Sequence, residues 1–153
     1  MVEITTRRQY AQLLRHFFSA RCTNDEYEER AEKLGAEDTH DAALGLIWCK
    51  VWLTYDDFSE HRMNGLYKLD KNRKRTVARW ILFLQNDLEY EYPYSTLRHK
   101  LRRLMTFLTF SKFACFHEPA LKDLGDSEVW PFFRVEDYER ALSSPKLLRG
   151  RSA

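Results

Sequence analysis

The chain has 153 residues, of which 44% are hydrophobic and 31% charged, and its net charge is +2. This is the length of one ordinary domain with room for a sizeable core. A balance so close to neutral argues against a uniformly basic nucleic-acid-binding protein. Only five glycines and four prolines are present, which argues against a β-sandwich with its many turns. We therefore predict a single all-α domain over residues 1–153, an irregular bundle of five or six helices with a flexible tail from about 144 to 153.

The charges are segregated along the chain. Residues 23–60 and 115–141 are acidic, whereas residues 61–86 and 95–114 are basic. Alternating blocks of this kind are typical of neighbouring elements with complementary surfaces.

Cysteine usage and hydrophobic runs bear on the compartment. The cysteines Cys22, Cys49 and Cys115 form no CxxC pair, so we predict a reducing cytoplasm rather than a disulfide framework, with the thiols of Cys49 and Cys115 buried. The first residues lack the apolar core of a signal peptide. The most apolar run, residues 104–116, is shorter than the roughly 20 residues that span a bilayer, so no membrane association is predicted.

The first two helices are predicted from capping boxes. Thr6 and Gln9 have the spacing of such a box, and the helix they start ends near residues 19–22, with apolar positions at i, i+3, i+4 and i+7, namely Tyr10, Leu13, Leu14 and Phe17. Thr23 and Glu26 form a second box, followed by a helix over about residues 24–34. Gly35 is its predicted terminator.

Two helices form the centre of the predicted bundle. One runs from Asp41 to Tyr55 and carries one apolar stripe, Leu44, Ile47, Trp48, Val51, Trp52 and Tyr55. Its two tryptophans predict a central place in the core. Residues 56–69 lack a period and are predicted to form a long, partly structured loop. Asp70 then caps a helix over about residues 71–87, which has a basic first turn.

The remaining elements follow a proline. Pro93 breaks the chain, and a helix begins at Ser95 or Thr96 and extends to about residue 113. A short helix near 118–124 and a final helix over about 135–142 complete the prediction. Between these two, residues 129–133 are read as an aromatic clip that pins the last helix to the core, with a docking wedge as the alternative.

The stretch at 87–94 is the leading candidate for partner binding. Carboxylates can clamp arginines and tyrosines give rigid contact area, which makes a partner-binding set of Glu89, Tyr90, Glu91, Tyr92 and Tyr94. The alternative is structural. The tyrosines then pack at a corner of the bundle, and the carboxylates, with that of Asp87, neutralise the basic helices on either side.

Two further sites are weaker alternatives. Asp56, Asp57 and His61 follow the double-tryptophan helix, where a carboxylate–imidazole group could serve acid–base catalysis in a small hydrolase or transferase. Nucleic-acid binding would use the basic helical faces at 71–79 and 98–103, with Arg73, Lys74, Arg75, Arg98 and Arg102 on the phosphates. The histidines are scattered without a metal-ligand spacing, so we predict no metal and no cofactor.

Four motifs resemble a family of short bacterial proteins without an assigned activity. They are residues 23–28 (TNDEYE), 79–84 (RWILFL), 87–93 (DLEYEYP) and 129–132 (VWPF). The resemblance covers about residues 10–145, and relatives often have a tryptophan at the position of Tyr92, which makes the aromatic ring before Pro93 matter more than its hydroxyl. It implies a soluble, cytosolic bacterial protein, and no catalytic residue is carried over from it.

The sequence as a whole favours a non-enzymatic helical interaction protein, a monomer or weak homodimer that binds another protein. Its predicted contact surface comprises residues 87–94 and the loop 56–67.

Overall fold

A computed structural model describes residues 2–91 and 127–143. This part of the chain contains five α-helices and two short 3₁₀ turns, and no strand. The helices are α1 (Ile4–Phe18), α2 (Asn24–Lys33), α3 (Ala42–Trp52), α4 (Lys71–Leu84) and α5 (Val135–Ser143), and the turns are η1 (Gly65–Tyr67) and η2 (Ser127–Val129). The predicted all-α class is confirmed. The helices predicted within 95–124, the tail 144–153 and Cys115 lie outside the described residues.

Local capping chemistry starts three of the helices, and the caps of α2 and α4 are the predicted ones. At α2, Thr23 Oγ1 accepts the Glu26 N–H at 3.2 Å and Glu26 Oε2 accepts the Thr23 N–H at 3.1 Å, which completes a capping box. Asp41 accepts the Ala43 N–H at the start of α3. Asp70 accepts the Arg73 N–H at the start of α4.

The predicted start of α1 is wrong. The helix begins at Ile4, and Thr6 lies inside its first turn rather than at its cap. Glu3 is the N-cap residue and makes no side-chain capping bond. Its own N–H is instead accepted at 2.9 Å by Asp41 Oδ2, from the start of α3. A residue distant in sequence therefore satisfies a backbone donor that a local cap normally serves.

The core lies around α1, which packs most extensively against α4 and also contacts α2. α4 in turn contacts α3 and α5. The side chains that α3 buries are Ala43, Leu44, Ile47 and Val51. The predicted central position of the two tryptophans is therefore wrong, because Trp52 is 42% exposed and Trp48 half-buried. The helix turns its Leu44–Ile47–Val51 line inward and leaves the tryptophans at the edge.

A buried ion pair, the Arg7 clamp (Arg7 with Asp41), joins three parts of the chain. Both side chains are 1% exposed, and the guanidinium donates from Nε to Asp41 Oδ2 at 2.6 Å and from Nη2 to Oδ1 at 2.8 Å. Nη1 donates to the Leu88 carbonyl at 2.6 Å, and the guanidinium carbon lies 5.3 Å from the centroid of the Phe83 ring. The clamp therefore connects α1, the start of α3 and the chain that leaves α4.

The segment before α5 packs as an aromatic clip, in agreement with its predicted structural role. Phe132 is 2% exposed and meets Phe83 edge-on at 5.0 Å between centroids. Trp130 meets Trp80 edge-on at 6.1 Å and donates its Nε1–H to the Tyr90 hydroxyl at 3.0 Å. These contacts attach the last described helix to α4.

Candidate functional site: an acidic groove with an aromatic wall

A groove of about 380 Å³ lies where α2 and the end of α3 face each other. We call it the acidic groove and define it by its lining residues, Asp25, Glu28, Glu29, Glu32, Glu37, Trp48, Trp52 and Tyr55. Its volume falls within the range of small-ligand and side-chain binding sites, roughly 300–1,000 Å³. Five carboxyl groups and three aromatic rings thus share one concave surface.

One wall of the groove is a stripe of acidic residues on α2. Asp25, Glu28, Glu29 and Glu32 are spaced i, i+3, i+4 and i+7, which places them on a single helix face. Like charges at these spacings repel one another along a helix. Lys33 relieves part of this repulsion through a 2.6 Å ion pair with Glu29, whose hydrogen bond lowers the pKa of the Glu29 carboxyl.

The other wall is aromatic and comes from two tryptophans on the edge of α3 and from Tyr55, three residues after its end. Trp48, Trp52 and Tyr55 follow one another at i, i+4 and i+7. Tyr55 joins the two walls, since its hydroxyl donates to Glu28 Oε1 at 2.9 Å. Burial, with the neighbouring Tyr27 and Glu28, raises the pKa of Tyr55 far above its usual value, so the hydroxyl keeps its proton and remains a donor.

Tyr55 also anchors the groove to the core. Its ring packs edge-on against Phe17 at 5.2 Å and against Tyr27 at 5.9 Å. Tyr27 in turn shares a buried 2.6 Å hydrogen bond with the hydroxyl of Tyr10. The aromatic wall therefore rests on a rigid cluster that spans α1 and α2.

The loop after Tyr55 is fixed at one end of the groove by a buried amide. Asn24 is 1% exposed, and its Oδ1 accepts the His61 N–H at 2.7 Å. Its Nδ2 donates to the carbonyls of Ser59 at 3.2 Å and Asp56 at 3.4 Å. Asn24 directly precedes Asp25 of the acidic wall, so these bonds tie the loop 56–61 to the first turn of α2.

The residues predicted for catalysis take part in this loop. Asp56 is half-buried and its carbonyl accepts from Asn24, while Asp57 is exposed. His61 Nδ1 is hydrogen-bonded to the Ser59 carbonyl at 2.8 Å, and its ring stacks on Tyr67 at 3.6 Å between centroids. These contacts hold the loop in its conformation. The hydrolase or transferase alternative remains a prediction.

The stretch predicted to bind a partner divides into exposed carboxylates and a packed ring. Asp87, Glu89 and Glu91 are exposed. Tyr90 is half-buried, meets Phe83 edge-on at 6.5 Å and accepts from Trp130, so its ring serves the aromatic clip. Tyr92, Pro93 and Tyr94 lie outside the described residues, and the predicted binding role of this stretch remains a prediction.

The basic residues of α4 lie on its surface. Arg73, Lys74 and Arg75 are exposed, and Arg73 Nε lies 3.7 Å from Asp70 Oδ2. Arg98 and Arg102 lie outside the described residues. Nucleic-acid binding through two such faces therefore also remains a prediction.

Within residues 2–91 and 127–143, no three histidine, cysteine or acidic side chains converge as metal ligands. Over the same residues, no helix combines the length and apolar character that a membrane span requires.

The sequence signals for this groove lie on two helices, α2 and α3. The sequence predicts a central place in the core for the tryptophans of α3, and it shows the acids of α2 only as part of the acidic block 23–60. Together, as two facing stripes, these residues define the site.

No family model, curated protein or solved structure matches the chain, so the family resemblance carried by the four motifs remains a prediction.

Proposed function

We propose that this protein is a non-enzymatic interaction module that binds a basic segment of a partner protein in the acidic groove. The observation that carries the proposal is the union of five carboxyl groups and three aromatic rings around one cavity of about 380 Å³. Carboxylates form charge-assisted hydrogen bonds with lysine and arginine. Aromatic faces attract the same cations. Both walls therefore favour one class of ligand.

The chemistry of the lining argues against the other ligand classes. Phosphates of a nucleic acid would be repelled by the acidic stripe, since such binding depends on neutralising their charge. Four of the five carboxylates lie along one helix face rather than around one point, which suits an extended cationic chain better than a single metal ion.

The surface predicted from the sequence is retained in part. In the loop 56–67, the carbonyls of Asp56 and Ser59 accept hydrogen bonds from Asn24, the residue before Asp25 of the groove. The stretch 87–94 is attached to α4 and the aromatic clip, and we assign the binding of the basic segment to the groove instead.

The proposal is tested with a synthetic peptide that alternates arginine with serine, titrated calorimetrically at low salt. The wild-type protein is expected to bind it, and the affinity should fall as salt is added. The variant Glu32→Gln/Glu37→Gln removes two exposed carboxylates of the groove. At about 0.2–1 kcal/mol for each exposed ion pair, this variant should bind roughly 2- to 30-fold more weakly.

A matched control keeps the change in net charge and moves it away from the groove. Glu136→Gln/Glu139→Gln removes two exposed carboxylates of α5 and should leave the affinity within about a factor of two, because only long-range charge is altered. Equal weakening in both variants would mean that the peptide responds to net charge alone, and the groove would not be its site.

A further inference from the structure

Three large apolar side chains at the end of α3 and in the chain that follows it are exposed. Trp52 is 42% exposed, Leu53 55% and Phe58 95%. Trp52 lines the groove, and the other two lie on either side of Tyr55 in the chain. We call Trp52, Leu53 and Phe58 the apolar rim.

The backbone that carries Phe58 is fixed. The carbonyls of Asp56 and Ser59, which flank Phe58, both accept from the buried Asn24 amide. Asn24 is followed in the chain by Asp25, a lining residue of the groove. Phe58 is therefore exposed to water three residues after Tyr55 of the groove, on a loop whose backbone is restrained by these two bonds, and such restraint lowers the entropic cost of binding.

Because Trp52 belongs to both the groove and the rim, and Leu53 and Phe58 lie within three residues of groove residues in the chain, we propose that the groove and the apolar rim together bind one amphipathic basic segment of a partner protein, with its cationic side chains in the groove and its apolar side chains on the rim. This inference rests on the proposed function and narrows its ligand. The charge of the groove selects the cations, and the rim selects their apolar neighbours. A purely polar basic chain would leave the rim in water.

The test compares two peptides of equal charge. Both carry the same arginines, and the positions between them are leucine in one and serine in the other. Wild-type protein should bind the leucine peptide roughly 5- to 20-fold more tightly, as expected for partial burial of one or two large apolar side chains. In Phe58→Ser, the leucine peptide should lose most of this advantage while the affinity for the serine peptide stays the same.

Leu142→Ser is the matched control, because Leu142 is 50% exposed at the end of α5. It should leave both affinities unchanged. Far-ultraviolet circular dichroism of each variant checks that the helices are retained.

Each result has a distinct meaning. If wild-type protein binds both peptides equally, the rim takes no part and the inference is wrong, while the proposed function stands. If neither peptide binds, the proposed function itself fails. If the leucine peptide keeps its advantage in Phe58→Ser, its apolar side chains bind elsewhere and the inference is again wrong. If the wild-type protein alone self-associates with increasing concentration and Phe58→Ser abolishes this, the rim is covered by a second copy instead.

Discussion

The Arg7 clamp and the acidic groove both combine carboxylates with aromatic rings, but the clamp is buried and the groove is open to solvent. In the clamp, two carboxylate oxygens, two backbone carbonyls and an aromatic face surround one guanidinium, and both charged residues are 1% exposed. In the groove, carboxylates and aromatic rings again lie together, but Asp25, Glu32 and Glu37 face solvent. The carboxylate of Asp41 is paired with a cation inside the protein, whereas these three carboxylates are accessible to a cation from solution.

The buried ion pair serves the fold, whereas the exposed carboxylates of the groove are available to a ligand. A buried ion pair gains little net stability over apolar packing, yet breaking it is costly because the remaining charge is stranded. Here the pair aligns α1, the start of α3 and the chain after α4. The groove shows the reverse balance, since its clustered carboxylates repel one another. A cationic ligand would relieve that repulsion.

The largest expected effect comes from breaking the clamp. In Asp41→Ala, Arg7 stays buried without its carboxylate and α3 loses its cap, so the free energy of unfolding should fall by about 3–5 kcal/mol. Urea denaturation followed by circular dichroism measures this loss. The double variant Arg7→Met/Asp41→Ala should recover part of it, because no stranded charge remains.

The control for this prediction is Asp70→Ala, which removes an exposed N-cap from α4. Loss of a cap alone costs about 0.5–2 kcal/mol. If Asp41→Ala were no more harmful than Asp70→Ala, the clamp would contribute only its capping bonds, and the contrast between interior and groove would disappear.

A second prediction compares two tyrosine hydroxyls, one buried and one at the groove. Tyr10→Phe leaves the hydroxyl of buried Tyr27 without its 2.6 Å partner, and should cost about 1–3 kcal/mol in unfolding free energy. Tyr55→Phe releases the exposed carboxylate of Glu28 to water, and should cost less than about 1 kcal/mol. Thermal and urea melts of the two variants measure the difference. Equal losses would show that the groove hydroxyl is as structural as the buried one.

Local chemistry made part of this fold predictable. Thr23 and Glu26 lie three residues apart and cap α2 by themselves, and Asp70 caps α4 in the same way. The partners of Arg7 are 34 and 81 residues away in the chain. No periodicity reveals such partners, because they meet only after the helices have packed. The displaced start of α1 has the same origin, since Asp41 accepts the Glu3 N–H.

Part of the pattern that forms the groove is present in the sequence. The acidic stripe of α2 and the aromatic stripe of α3 both follow helical spacing, but spacing alone does not say which face a helix buries. On α3, the buried line through Ile47 and Val51 is only one residue out of register with the line through Trp48 and Trp52. The packed structure buries the former. The two stripes face each other across a cavity only because of how the helices pack, which helical spacing does not reveal.

The smallest effect is expected in the groove itself, and its sign is the informative part. Glu32 lies near the C-terminal end of α2, where the helix dipole disfavours an anion and Glu28 and Glu29 repel it. Glu32→Gln should therefore leave stability unchanged or raise it by up to about 0.5 kcal/mol. Asp25→Asn, in the first turn of the same stripe, removes a charge that the dipole favours and that Glu28 and Glu29 repel, so it should change stability by less than about 0.5 kcal/mol. Chemical denaturation at low salt measures both changes, and high salt should reduce both.

A loss of unfolding free energy above about 1 kcal/mol in Glu32→Gln would mean that this carboxylate stabilises the fold. A gain, together with weaker peptide binding, would mean that the chain keeps a charge at some cost in stability for the sake of its ligand.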